Sequence, residues 1–210
     1  MPAPTDFLRR ALAPVLLCIA CTAWAGAYDD LMMAANNGNT ERVVELLQKG
    51  MDVNTTDLDG NSLLMLAVRS GNQPLIDFLL QHRASLGRRN RYGDDVLMQA
   101  TNDGKLETVK KLMAAGAEVQ HPGWTALHYA VIQGHADLVA YLLEKGADVT
   151  AKGPNGQTAL MMAERRDQSD IVQMLKAKQA EVELAEAQRK AAADQAAAKD
   201  GGDSAKAPAP

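Results

Sequence analysis

The sequence predicts an all-α fold, a solenoid of stacked helix-turn-helix units with projecting β-hairpin loops, and four marker columns carry that prediction. Alanines recur at Ala34, Ala67, Ala100, Ala130 and Ala163, at intervals of 33, 33, 30 and 33 residues. Helix-linking glycines keep the same rhythm at Gly38, Gly71, Gly104 and Gly134, with Asp167 in the fifth place. Branched apolar residues follow at Val43, Ile76, Val109, Val139 and Val172, and hairpin glycines at Gly60, Gly93, Gly123 and Gly156. Marker columns that hold one spacing over most of the chain define a repeat, and a repeat of two short helices must stack on neighbours to bury a core.

The stretch from Pro122 to Val149 shows how one unit is built. Thr125-Ala126-Leu127-His128 opens a short helix, with the threonine hydroxyl placed to cap free backbone N–H groups. Gly134 reverses the chain with a positive φ. A second helix carries Leu138, Val139, Leu142 and Leu143 on one buried face, and Gly146 closes it. These residues resemble the ankyrin repeat, whose 33-residue unit carries a T-P-L-H-x-A turn. About five units cover roughly residues 28–179. Only Thr125-Ala126-Leu127-His128 comes close to that turn. Elsewhere the turn reads Ser62-Leu63-Leu64-Met65, Asp95-Val96-Leu97-Met98 and Thr158-Ala159-Leu160-Met161, so the assignment rests on the period.

The chain has 210 residues, 47% hydrophobic and 23% charged, which suits a soluble protein with a real core. Aromatics make up only 4%, so Leu, Ala, Met and Val do the packing. A net charge of −4 gives no general reason to expect nucleic-acid binding. Residues 1–25 read as a secretory signal peptide: Arg9-Arg10, an apolar stretch from Ala11 to Cys21, and Ala23-Trp24-Ala25 before a cleavage point at Gly26. The apolar stretch is short for a membrane span, which disfavours a retained anchor. Lipidation at Cys21 would want a leucine where Cys18 stands. Cleavage after Ala25 removes Cys18 and Cys21, the two cysteines of the chain, which agrees with an oxidising compartment. A periplasmic or secreted location, in a bacterium, is the expectation.

The domains expected are therefore a signal peptide (1–25), a repeat domain (26–179) and an Ala/Lys/Glu-rich helical extension with a flexible tail (180–210). The first unit begins at about Tyr28 and shows Asn36, Asn37, Asn39, Glu41 and Arg42 to water, as an N-terminal cap does. In the second, Arg83 stands where other units place Gly50, Gly116 and Gly146. A left-handed Arg is disfavoured, so that joint is expected to be looser. The third hairpin reads Arg88-Arg89-Asn90-Arg91-Tyr92-Gly93-Asp94-Asp95, either a solvated loop with its own counter-charges or a contact site, since Arg and Tyr anchor interfaces. The fourth is three residues shorter, and its Trp124 is either packed on the adjacent finger or offered to a partner, the latter being preferred. In the fifth, Lys176 and Gln179 replace an apolar residue and a closing glycine, making a polar C-terminal cap. From Lys176 to Lys199 strong helix formers predominate, with no apolar seam for a coiled coil.

No catalytic, metal or cofactor pattern emerges. His128 belongs to the turn, where the resemblance gives it a structural role. His135 follows a linking glycine, His82 ends a helix, and no His-x-x-x-His pair accompanies His121. The serines lie outside any nucleophile context, and Asp29-Asp30 and Asp94-Asp95 look solvent-facing. The chain reads as a non-enzyme. The resemblance implies a protein-interaction module, and among exported bacterial relatives an inhibitor or immunity role restraining or protecting one partner. The alternative is a structural envelope tether. Contact residues expected on the fingers are Leu58, Asp59, Asn61, Arg91, Tyr92, Asp94, Trp124, Asn155 and Gln157. Arg69, Asn102, Ile132 and Arg165 extend the surface along the inner helices.

Overall fold

The computed structural model describes residues 26–200, with side chains through residue 195, in two units, Met1–Glu118 and Val119–Pro210, each taken by itself below. The expected signal peptide with Cys18 and Cys21, and the tail from Gly201, lie outside the described residues.

The first unit begins with helix α1 (26–36), followed by α2 (Thr40–Gln48), α3 (Leu63–Ser70), α4 (Gln73–Gln81), α5 (Val96–Asn102) and α6 (Leu106–Ala114). The inner helix of each pair starts at the residue the periodicity marks. Ser62 accepts from the Met65 N–H and Asp95 from the Met98 N–H, so each caps its helix. Helix α3 packs on α4 and on α5, and α5 on α6. Their interfaces close over Leu63, Leu64, Leu66, Leu75, Ile76, Leu79, Leu97 and Leu112, all at most 1% exposed. Each such side chain contributes about 1.5–3 kcal/mol by leaving water. The alanine column sits where inner helices meet: Ala67 and Ala100 are wholly buried, and nothing larger fits without moving a helix.

The second unit repeats the plan with α7 (Ala126–Gln133), α8 (Ala136–Glu144), α9 (Ala159–Arg165) and α10 (Ser169–Asp200). Here α7 packs on α8 and α9, and α10 on α8 and α9, over Leu127, Val131, Leu138, Val139, Leu142, Ile171 and Leu175. Helix α10 lacks a closing glycine where Gln179 stands, and it runs on for 32 residues in all. Lys176 pairs with Glu164 at 2.9 Å, and after the half-buried Val182 every residue with a described side chain is exposed.

Turn chemistry follows the columns. The linking residues are left-handed throughout, including Asp167 at φ 55°, and so is Arg83 at φ 57°. A non-glycine residue in that region costs about 1–2 kcal/mol. The hairpin fingers are not strands: among the described residues pairing is limited to single bridges, Thr56 to Ser62 and Lys152 to Thr158. What shapes the fingers is Asx geometry. Asp57 Oδ1 accepts from the Asp59 and Asn61 N–H groups, Asn90 Oδ1 from those of Tyr92 and Asp94, and Asn155 Oδ1 from that of Gln157.

The structure corrects the reading of Asp95. Asp95 does not face solvent beside Asp94; it is 1% exposed, because its carboxylate caps α5.

Candidate protein-binding surface

In the first unit the exposed groups gather on fingers and inner helices. Leu58 at the tip of one finger is 95% exposed and Tyr92 on the next is 65% exposed. The two fingers are laced together beneath their tips. The Arg91 N–H donates to the Asp59 carbonyl (2.9 Å), Asn90 Nδ2 donates to Asn61 Oδ1 (3.0 Å), and the Arg91 guanidinium pairs with Asp59 (2.7 Å). Arg91 also donates to the Tyr92 hydroxyl at 2.6 Å and lies 4.9 Å from the ring centroid. That hydrogen bond, and next the Asp59 charge, raise the Arg91 pKa. Leu58, Arg91 and Tyr92 therefore form a preorganised apolar and cationic tip, the composition of an interface anchor.

The inner helices supply Arg69, Asn102, Ile132 and Arg165, one register column at the repeat spacing. Arg69 is exposed and donates to Asn36 Oδ1 (2.8 Å). Asn102 and Ile132 are half-buried, and Arg165 is exposed.

A second column, Asn61, Asp94, Trp124 and Gln157, is turned differently from the sequence expectation. Asn61 is only 7% exposed, donating to Asp57 Oδ2 and accepting from Asn90, so it holds two fingers rather than meeting a partner. Asp94 is half-buried. Trp124 is likewise half-buried: its ring stands edge-on to His128 with centroids 5.4 Å apart and close against Gly153. A Cβ added to Gly153 would come within 3.1 Å of the indole. The adjacent finger, not a partner, covers this tryptophan. Gln157 Oε1 accepts from Asn155 Nδ2 at 2.9 Å.

His128 links these fingers to the core. Nδ1 accepts from the Thr125 hydroxyl (2.8 Å) and N–H (3.3 Å), and Nε2 is 3.3 Å from the Gln157 carbonyl. That set assigns the proton to Nε2. Burial pushes the His128 pKa below the ordinary imidazole value, with the Gln157 carbonyl acting the other way. An unfolded histidine titrates near 6.5, so as pH falls through that value the unfolded state takes up a proton that the fold resists. Its contribution is complete above about pH 6.5 and is lost as pH falls toward the depressed folded value. The unfolding free energy of the native chain should then decline between pH 7.5 and 5.5 more steeply than that of His128→Gln. Parallel profiles in denaturant titrations would remove this role.

Sequence reasoning missed the staples between neighbouring helix pairs. Asn72 Nδ2 donates to the Gly38 carbonyl (2.7 Å), Lys105 Nζ to the Val68 and Arg69 carbonyls, and Gln168 Nε2 to the Val131 carbonyl (2.9 Å). All three occupy the place after a linking residue, where Asn39 and His135 also stand. The available signal was a column of side chains that all carry nitrogen.

Among the described residues no cluster of three His, Cys, Asp or Glu side chains is placed to hold a metal ion, and no helix is long and apolar enough to cross a membrane. His82 stacks on Phe78 (4.0 Å) with Nδ1 2.8 Å from the Phe78 carbonyl, a local helix-end contact.

Comparison with known proteins identifies the columns. A family model described as "Ankyrin repeats (3 copies)" matches residues 31–122 and again 97–186. A probable E3 ubiquitin-protein ligase XBOS33 of Oryza sativa subsp. japonica is 55% identical over 49 residues, 23% of this chain and 9% of that protein. The potassium channel AKT1 of Arabidopsis thaliana is 36% identical over 78 residues, 36% of this chain and 9% of the channel. Ankyrin repeat-containing protein P1E11.10 of Schizosaccharomyces pombe is 35% identical over 66 residues, 30% of this chain and 32% of its own length. The chain thus matches under a third of the length of each of these relatives.

Proposed function

The chain belongs to the ankyrin-repeat family, whose members are generally non-enzymatic protein-interaction modules, and from that premise we propose that it is an exported, periplasmic binding module that restrains or protects one partner protein. The observation that carries the reading is the Leu58–Arg91–Tyr92 tip. An almost fully exposed leucine on one finger, with an exposed tyrosine and an ion-paired arginine on the next finger hydrogen-bonded to it, is more than solubility requires. The proposed location rests on the composition of residues 1–25, and an inhibitor or immunity role follows from that location together with the family.

The test is affinity capture from an envelope fraction with the chain from Gly26 onward, beside a variant carrying Leu58→Ala, Arg91→Ala and Tyr92→Ala. Trp124 is left in place because the fold uses it. One protein held by the native bait and lost by the variant is the expected result, and its activity with and without the repeat protein separates restraint from protection. A protein held equally by both baits would move the site off the finger tips. Sequencing the N-terminus of the protein from its host should read Gly26.

A second reading, a structural tether, is favoured by the solvent-exposed run of α10 past Val182. Removing residues 180–210 discriminates the two: a binding module keeps its partner, and a tether changes its fractionation.

A further inference from the structure

We propose that a cleft in the second unit, at the C-terminal end of α9, is a carboxylate-binding site that receives an aspartate or glutamate side chain from an acidic segment of the partner protein. The cleft has a volume of about 270 Å³ and is lined by Gln157, Met162, Arg165 and Arg166. Its polar groups are nearly all donors. Arg166 is braced by one nitrogen, Nη1, which donates to the Ile132 carbonyl at 2.8 Å, and among the described residues the rest of its fork has no partner. The Gln157 acceptor oxygen is already engaged by Asn155, which leaves its amide N–H₂ as the group on offer. Arg165 is exposed and makes no hydrogen bond or ion pair among the described residues.

Among the described residues Arg83, Arg88 and Arg189 likewise have no such partner, and what distinguishes Arg165 from them is that it lines the cleft. Arg42 has Asp30 and Glu45, and Arg91 has Asp59. Glu164, next to Arg165 in the chain, is turned to Lys176 instead. No carboxylate stands within ion-pairing reach of either Arg165 or Arg166 among the described residues. Two planar forks and an amide donor around a small cleft match the two oxygens of one carboxylate. The Met162 side chain, 7% exposed, gives the methylene stem an apolar and adaptable wall. Arg165 also holds the inner-helix register position of the second unit, so the cleft gives that unit a charged requirement of its own.

The inference rests on the binding-module reading, and its test needs no native partner, so the two fail separately. An empty capture experiment would remove the module whatever the cleft does, and a silent cleft would leave a captured partner standing. The probe is an acetylated, amidated hexaglutamate peptide titrated into the full chain, with hexaglutamine as its uncharged counterpart. Arginine Nε–Hε and glutamine side-chain signals are followed by NMR. The expected result is movement of the Arg165, Arg166 and Gln157 signals with the glutamate peptide only. Arg165→Gln should weaken binding by about tenfold, the loss of one charge-assisted contact. Arg165→Lys keeps the charge without the fork and should recover only part of it. Because Arg165 bonds nothing within the described residues, Arg165→Gln should melt with the native chain. Equal binding of the two peptides, equal affinity in Arg165→Gln, or signals moving only elsewhere would each overturn the assignment.

Discussion

Leu127→Ala should cost the protein about 2–5 kcal/mol of unfolding free energy. The residue sits in the Thr-Ala-Leu-His turn, 1% exposed, and its side chain fills the space between α7 and its neighbours in the second unit. Truncation removes the transfer free energy of the lost methyl and methylene groups and leaves a cavity, because helices held by Thr125, His128 and the Ala130 contact cannot close over it. Equilibrium urea titration followed by circular dichroism measures the loss. In a stack each pair is stabilised mainly by its neighbours, so the damage should reach α9 as well as α7. Amide exchange resolved by residue would show protection falling in both helices. A loss below 1 kcal/mol would mean that Leu127 is not the packing residue its burial indicates.

Gly60→Ala should cost more than Gly93→Ala, although both sites have nearly the same backbone. Gly60 has φ 81° and Gly93 φ 85°, so each alanine carries the left-handed penalty of about 1–2 kcal/mol. Their surroundings differ. A Cβ on Gly60 would stand 3.2 Å from Asn90 Cα and 3.4 Å from the Arg91 nitrogen, whereas a Cβ on Gly93 meets nothing within 4 Å. The crowding atoms are backbone, fixed by the bonds from Asn90 N–H to Asp94 and from Arg91 N–H to Asp59. They cannot swing aside as a side-chain end would. The total for Gly60→Ala should come to about 2–3 kcal/mol, and the Arg91–Asp59 pair should be displaced. Thermal melts of the two variants side by side give the difference. Equal melting temperatures would show that the fingers are not in the contact described.

These results bear on what could be read from the residues alone. The helical columns were legible because the forces behind them are local and periodic: Ala67, Ile76 and Gly71 each repeat a physical requirement every turn of the stack. Even the departures were legible, since Arg83 and Asp167 take the left-handed φ of the glycines they replace. The fingers were legible in place and not in orientation. Nothing in the local sequence says that Asn61 turns inward to meet Asn90, or that Trp124 lies against Gly153, because both depend on a finger about thirty residues away. Asp95 was misjudged for a different reason. A charged pair looks solvated until one member is recognised as a helix cap, and the signal was there in its alignment with Ser62, Thr125 and Thr158. The Arg165 cleft depends on a negative fact, the absence of a nearby carboxylate among the described residues, which a sequence does not display.

The staples of Asn72, Lys105 and Gln168 all point the same way, from a later helix pair back to a carbonyl of the pair before it. The Gly38, Val68 and Val131 carbonyls already accept a backbone N–H within their own pair, and each keeps a second lone pair that the next pair fills. A chain made from its N-terminus completes each unit in that order, the stapled pairs of a unit sealing the ones already out. Growth in this direction never asks a finished layer to reopen. A version of the chain circularly permuted between Gly116 and Gly123 would place the old layers last, and should reach the same contacts more slowly than the native order does.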